Sequence, residues 1–290
     1  MKKFFLYLTL VLLLLLGVFM FVLPGQVIKR ANAVLTQTPY TTPSDSALAL
    51  HQRLHIADLH CDALLWNRDL LERSNVGHVD VPRLLAGNVA LEAFTIVSKV
   101  PFGLNMERND GDSDMITVLA IAQRWPPRTW RSLKERALYQ AKKLHEFAER
   151  SQGKLVLIKT AADLQSYLAR RPNEHEITAG FLGIEGAQVL EGDLANIDIL
   201  FDAGFRMMAP THFFDNDIAG SAHGVEKGGL TEKGKEMIRR MEAKHMLVDV
   251  AHASPQTIDD VLAIATKPVL VSHTGVKGTC DGARNLSDDH

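Results

Sequence analysis

Residues 246–273 read MLVDVAHASPQTIDDVLAIATKPVLVSH, and this stretch decides the fold class. It holds two short apolar runs, Met246–Ala251 (MLVDVA) and Pro268–His273 (PVLVSH), one helix length apart. Ser254 supplies an N-cap and Pro255 a first helical position where the missing N–H costs nothing, which predicts a helix over 255–265. Strand, helix and strand joined by short turns make a parallel crossover unit. His252 and His273 close the two runs, so they take equivalent places on successive strands.

Working outward, the same alternation continues toward the N-terminus. Candidate strands are His55–His60, Glu92–Ser98, Lys154–Lys159, Ala179–Glu185 and Phe205–Thr211, with helices expected at 132–151, 161–170, 193–203 and 231–244. Near-continuous apolar strands separated by helices imply a parallel sheet covered on both faces. Seven strands point to an α/β fold of the (β/α)8 TIM-like barrel type, of the metal-dependent hydrolase kind, lacking its last strand. An open doubly wound sheet is the competing arrangement. No GxGxxG follows the first strand, which removes the usual dinucleotide reading.

In a parallel barrel, chemistry sits at the C-terminal ends of the strands. The first strand ends His60-Cys61-Asp62, and period-two alternation puts His60 and Asp62 on one face with Cys61 turned away. An imidazole and a carboxylate so placed suit a zinc-type ion. His78-Val79-Asp80 repeats the pattern but follows no apolar run and precedes Pro82, which marks a loop with a structural role. Glu185 lies between Gly183-Ile184 and Gly186 at a strand end, where its two oxygens could bridge two ions. With His252 and His273 in register, the set suggests two divalent cations about 3.5–4 Å apart sharing a water of lowered pKa, hence metal-assisted hydrolysis.

Composition narrows the partners. The 290 residues carry a formal net charge of −2 with pI ≈ 6.6, without the basic surplus that nucleic-acid binding requires. Residues 4–23 (FFLYLTLVLLLLLGVFMFVL) contain no charge and are long enough to cross a bilayer. Lys2 and Lys3 favour a cytoplasmic N-terminus. The first 33 residues therefore read as a signal-anchor, with cleavage after Ala31-Asn32-Ala33, or a buried core helix, as alternatives. Either of the first two places the remainder outside the cytoplasm: membrane-anchored (periplasmic in a bacterium), or secreted after cleavage. A polar linker with Pro39 and Pro43 fills 34–46, and a single domain is expected over 47–290. Two cysteines, Cys61 and Cys280, make no disulfide framework.

Taken in order, DLHCD (58–62), GHVDVPRLLAGNV (77–89), GIEGAQ (183–188), GFRMMAPTH (204–212), GGLTEKG (228–234), LVDVAHAS (247–254), PVLVSHT (268–274) and ARNLSDD (283–289) resemble the membrane dipeptidase (renal dipeptidase-like) family of two-zinc hydrolases. The resemblance covers nearly everything after residue 50. It implies a zinc metallopeptidase that cleaves dipeptides with a zinc-activated bridging hydroxide. His60 and Asp62 would hold one Zn2+, His252 and His273 the other, and Glu185 would bridge both. It also implies that His212 faces the substrate carbonyl and stabilises the oxyanion, and that Arg284 pairs with the substrate's terminal carboxylate. Members of the family continue into an eighth strand with a proton-handling Asp. Nothing here corresponds to it, so the chain reads as a fragment, inactive as given.

Asp110, Asp112 and Asp114 stand at spacing two, but Met115 replaces the glycine a calcium loop needs, so this is a polar surface loop. Two other functions stay open: another metal-dependent amidohydrolase or lactonase on the same barrel, or a non-catalytic metal-binding envelope protein. Homodimerisation is undecided by the sequence.

Overall fold

The computed structural model describes residues 1–34, 42–174 and 176–290. Most of the expected linker, residues 35–41, lies outside the described residues.

Six strands form one parallel sheet: β1 (Ile56–Cys61), β2 (Val89–Val97), β3 (Leu155–Leu157), β4 (Thr178–Glu185), β5 (Phe205–Met208) and β6 (Leu247–Val248). The path is β1-β2-β4-β5-β6, every pairing parallel. β4, TAGFLGIE, is buried at every position, as expected of an interior strand covered on both faces. Helices Leu133–Arg150, Ala161–Arg170, Asn196–Asp202, Glu232–Ala243 and Pro255–Ile264 fall where the sequence placed them. Ser254 caps the last of these, its side chain accepting from the Thr257 amide. The main core, including Phe94, Ile96, Leu144, Leu182, Phe205 and Met237, joins strands and covering helices into one cluster.

Two expectations about strand count change. Lys154–Lys159 supplies β3, but β3 is no stave of the sheet's path. It shares one edge of β4 with β5, pairing Leu155–Leu157 with Thr178–Gly180, while β5 takes the later residues Leu182–Ile184. Pro268–His273 contributes no full strand. It continues the sheet through the parallel bridge Asp249↔Leu270, with Leu270 N donating to Val248 O at 2.8 Å. The physical reason lies at its ends, since Pro268 has no N–H to give and Ser272 turns toward Asp249. The result is an α/β fold whose curled parallel sheet makes a half-barrel. A closed eight-stranded barrel is not formed among the described residues.

Residues Lys2–Ala31 form one long helix whose most apolar 18 residues have mean hydropathy 2.9, none of that stretch being buried. That removes the buried core helix from the three alternatives. The helix is long and apolar enough to cross a membrane by length and composition. It meets the domain near its C-terminal end, where the Arg124 guanidinium lies 4.8 Å from the Phe21 ring and Ala33 bridges Val76. Cys61 and Cys280 are both free.

Candidate metal centre

Four imidazoles converge on one carboxylate at the C-terminal end of the sheet. Glu185 ends β4 and is 3% exposed. Gly186 follows it at φ +85°, where a Cβ would lie 2.1 Å from Gln188 Oε1, so only glycine turns the chain here. Around Glu185 Oε1 stand the Nε2 atoms of His273 at 3.3 Å, His252 at 3.4 Å and His60 at 3.5 Å. His212 Nε2 lies 3.1 Å from Oε2. Asp62 Oδ2 is 3.3 Å from His60 Nε2, and Thr95 Oγ1 donates to the other Asp62 oxygen at 2.7 Å.

Each side chain is held by its backbone or by a neighbour. His60 and Asp62 share one face across the end of β1, as alternation requires, and Cys61 packs against the core instead. His252 has φ +62°, a left-handed backbone that non-glycine residues rarely adopt. Its carbonyl accepts from Ala222 N at 2.8 Å, which helps to hold this backbone in place. Ser272 Oγ donates to Asp249 Oδ2 at 2.6 Å and lies 2.8 Å from His273 Nδ1. The hydroxyl's one proton goes to Asp249, so His273 Nδ1 must be the donor to Ser272, and His273 Nε2 presents its lone pair to the site.

This donor set fits divalent cations, and the hydrogen-bond logic gives the test. Arg284 Nη2 donates to His252 Nε2 at 3.0 Å, so that nitrogen is an acceptor too. Yet His252 Nε2 and His273 Nε2 are 3.0 Å apart, two lone pairs facing one another beside a buried carboxylate. Such an arrangement suits a cation. Ligand atoms on one tetrahedral zinc-type ion lie about 3.3 Å apart, close to the separations found here. Two groups of three have all their donor atoms within 4.8 Å of one another, His60–Glu185–His273 and Glu185–His212–His252. They cut across the expected pairs, although His60–Asp62 and His252–His273 are each in contact as well.

Burial and charge divide the titration of these groups. Desolvation opposes the His60 charge, but the Asp62 hydrogen bond and the Glu185, Asp62 and Asp249 charges outweigh it and raise its pKa to about 9. Burial, helped by His212 and Arg284, pushes His252 down to about 2 despite Glu185. Burial would raise the Glu185 carboxyl, but the neighbouring His212, with Nε2 at its second oxygen, overcomes this and holds Glu185 well below the usual carboxylate range.

The other sequence candidates resolve as structural. Asp80 caps helix Val81–Ala86 and pairs with Arg83, while His78 is exposed. Asp114 caps helix Met115–Ala122 and pairs with buried Arg136 at 2.6 Å, so the segment read as loop ends in a helix. Sequence reasoning missed His223, which lies fully buried against the His252 ring.

The comparisons agree with this geometry. A family model described as membrane dipeptidase (peptidase family M19) matches residues 44–290. The chain belongs to the membrane dipeptidase family. An uncharacterized dipeptidase of Schizosaccharomyces pombe is 31% identical over 113 residues, which is 38% of this chain and 28% of that protein. Dipeptidase aclJ of Aspergillus oryzae is 24% identical over 82% of this chain and 54% of its own length. The chain thus spans about half, or less, of the length of these relatives. Among solved structures, the probable dipeptidase PvdM of Pseudomonas aeruginosa superposes with TM-score 0.67 and 18% identity, over 84% of this chain and 58% of that one. A Rhodobacter sphaeroides metallopeptidase, solved with a phosphinate mimic of L-Ala-D-Ala, gives TM-score 0.63 and 22% identity over 81% and 69%. These two likenesses establish the fold.

Proposed function

We propose that this chain carries the site of a metal-dependent dipeptidase that takes two divalent cations, zinc by its donor set, with Glu185 between them. The observation that supports this most is a buried carboxylate ringed by four imidazoles with no lysine among them. Bound ions would supply Lewis acidity and a hydroxide at neutral pH. His60 and Asp62 would hold one ion, His252 and His273 the other.

The protein's own groups do the rest. Thr95 fixes the rotamer of Asp62, and the Asp249–Ser272 pair fixes the tautomer of His273, so the ligands are aimed before anything binds. His212, 3% exposed after β5, has Nε2 3.1 Å from Glu185 Oε2, and with that carboxylate engaged by ions its Nε2–H would be free to donate to a developing oxyanion. Arg284 stands beside the ligands with Nη2 on His252 Nε2 and, at 3.2 Å, on the His273 carbonyl. A substrate carboxylate offers it a charged, bidentate partner in place of those neutral acceptors, which orients a dipeptide and draws the guanidinium off the histidine. The apolar helix would hold this site at a membrane surface, outside the cytoplasm.

The test is turnover by the metal-loaded full-length protein on a panel of dipeptides, lactones and N-acyl amino acids. Cleavage of dipeptides above the other classes is expected. Cleavage of lactones or N-acyl amino acids alone would move the assignment to a related amidohydrolase, and cleavage of none would favour the metal-binding envelope protein.

A further inference from the structure

Next to the ligands lies a cavity of about 480 Å3 whose wall includes His273, Arg284, His223, Met106 and Glu107. Arg284 is its one cationic side chain. Two further polar groups on the wall are already engaged: Thr274 Oγ1 donates to the Arg284 carbonyl at 3.0 Å, and Asn285 Nδ2 to the Cys280 carbonyl at 2.8 Å.

His223 differs from them. Its side chain is wholly buried, between the Phe213 ring at 5.0 Å and the His252 ring at 5.3 Å. Nδ1 lies 2.9 Å from the Met106 carbonyl oxygen, which can only accept, so the ring proton must sit on Nδ1. Nε2 then carries a lone pair, and it is buried with no hydrogen-bond partner among the described residues. A buried acceptor left unpaired is costly, and native interiors rarely keep one without a use. Glu107, exposed and adjoining Met106, adds a second acceptor at the rim.

We propose that His223 is a specificity-determining residue whose Nε2 accepts a hydrogen bond from the side chain of a dipeptide's C-terminal residue. The inference rests on the dipeptidase reading: Arg284 takes the terminal carboxylate, so the side chain on the same carbon falls within this cavity. The wall then offers acceptors rather than donors, and side chains bearing O–H or N–H are favoured over apolar ones of equal shape. A site built to pair a substrate hydrogen bond rejects the analogue that lacks it, because its own polar group is left unpaired.

Ala-Thr and Ala-Val test this, being isosteric apart from the hydroxyl. With full-length metal-loaded protein, kcat/KM for Ala-Thr should exceed that for Ala-Val by about fivefold or more. His223→Asn keeps a donor where Nδ1 stands and removes the acceptor, so the ratio should fall to about one. His223→Gln returns an oxygen to the Nε2 position and should restore part of the preference. Turnover of Ala-Val by each variant reports that it is folded and loaded. A wild-type ratio near one, or a preference unchanged in His223→Asn, overturns the assignment and leaves the dipeptidase reading standing. Failure of the wild type to cleave either dipeptide would sink both.

Discussion

In the metal-free protein, His60 is expected to titrate far above an ordinary histidine. Its pKa of about 9 against 6.5 corresponds, at 1.36 kcal/mol per unit, to about 3 kcal/mol favouring the charged imidazole. The side chain is 18% exposed, so solvent screening removes little of this. Because the folded value is raised, that stabilisation is complete below about pH 6.5 and disappears as pH rises through about 9. Asp62 is the group to perturb, since its hydrogen bond is the largest single contribution opposing desolvation and its charge adds to it. Asp62→Asn should lower the His60 midpoint by at least about one unit, with the Glu185 and Asp249 charges remaining. The assay is a pH titration of ring-proton shifts in metal-free protein labelled at histidine, with His60→Gln giving the assignment. His252, pushed to about 2, should stay neutral across the whole range. A wild-type His60 midpoint at or below 6.5, or one indifferent to Asp62→Asn, would refute the electrostatic reasoning. The linked consequence is that metal binding near pH 8 displaces about one proton from His60 and near pH 9 about half of one, readable as buffer-dependent heat.

Arg284→Ala should raise KM for dipeptides about tenfold or more with a smaller loss in kcat, and Arg284→Lys should recover little of it, because an ammonium cannot bind a carboxylate bidentately; steady-state kinetics on one dipeptide decides this. Lys143 donates to the Leu64 and Trp66 carbonyls at 2.6 and 2.8 Å, pinning the turn after Asp62, so Lys143→Met should destabilise the fold by about 2 kcal/mol in denaturant titrations. Burial lowers the Lys143 pKa to about 7, below its unfolded value, so wild-type stability should gain from this group between pH 7 and about 10, and the Met variant should lack that gain. If residues 2–31 are an uncleaved anchor, full-mass protein should stay with membranes through an alkaline carbonate wash; soluble protein shortened by the first 33 residues would establish cleavage instead.

Much of the candidate site was legible because it sits where two simple periodicities cross. Alternation across a strand end places His60 beside Asp62, and one strand-plus-helix repeat places His252 beside His273. Both relations depend on backbone geometry alone, and both hold. Strand count was less legible. The run KLVLIK reads the same whether it becomes a stave or shares an edge, since that depends on which residues of β4 its neighbour β5 leaves to be paired. Helix Leu133–Arg150 hid its most specific contacts for a related reason. Arg136, Gln140 and Lys143 look like a solvated face, yet all three are buried and donate to carbonyls at or beyond the ends of β1 and β2, including Ser98, Val97 and Leu64. Side-chain type carries no record of such partners. His223 lies in a run, NDIAGSAHG, with neither period, so only the folded chain brings it to His252.

The central claim is that Glu185 bridges two ions. Its most direct test is metal content of purified full-length protein after loading and desalting, wild type against Glu185→Gln. Two divalent ions per chain in the wild type, at most one in the variant, and a loss of kcat/KM of about a thousandfold or more are predicted. Two ions retained by Glu185→Gln, with activity intact, would contradict the account.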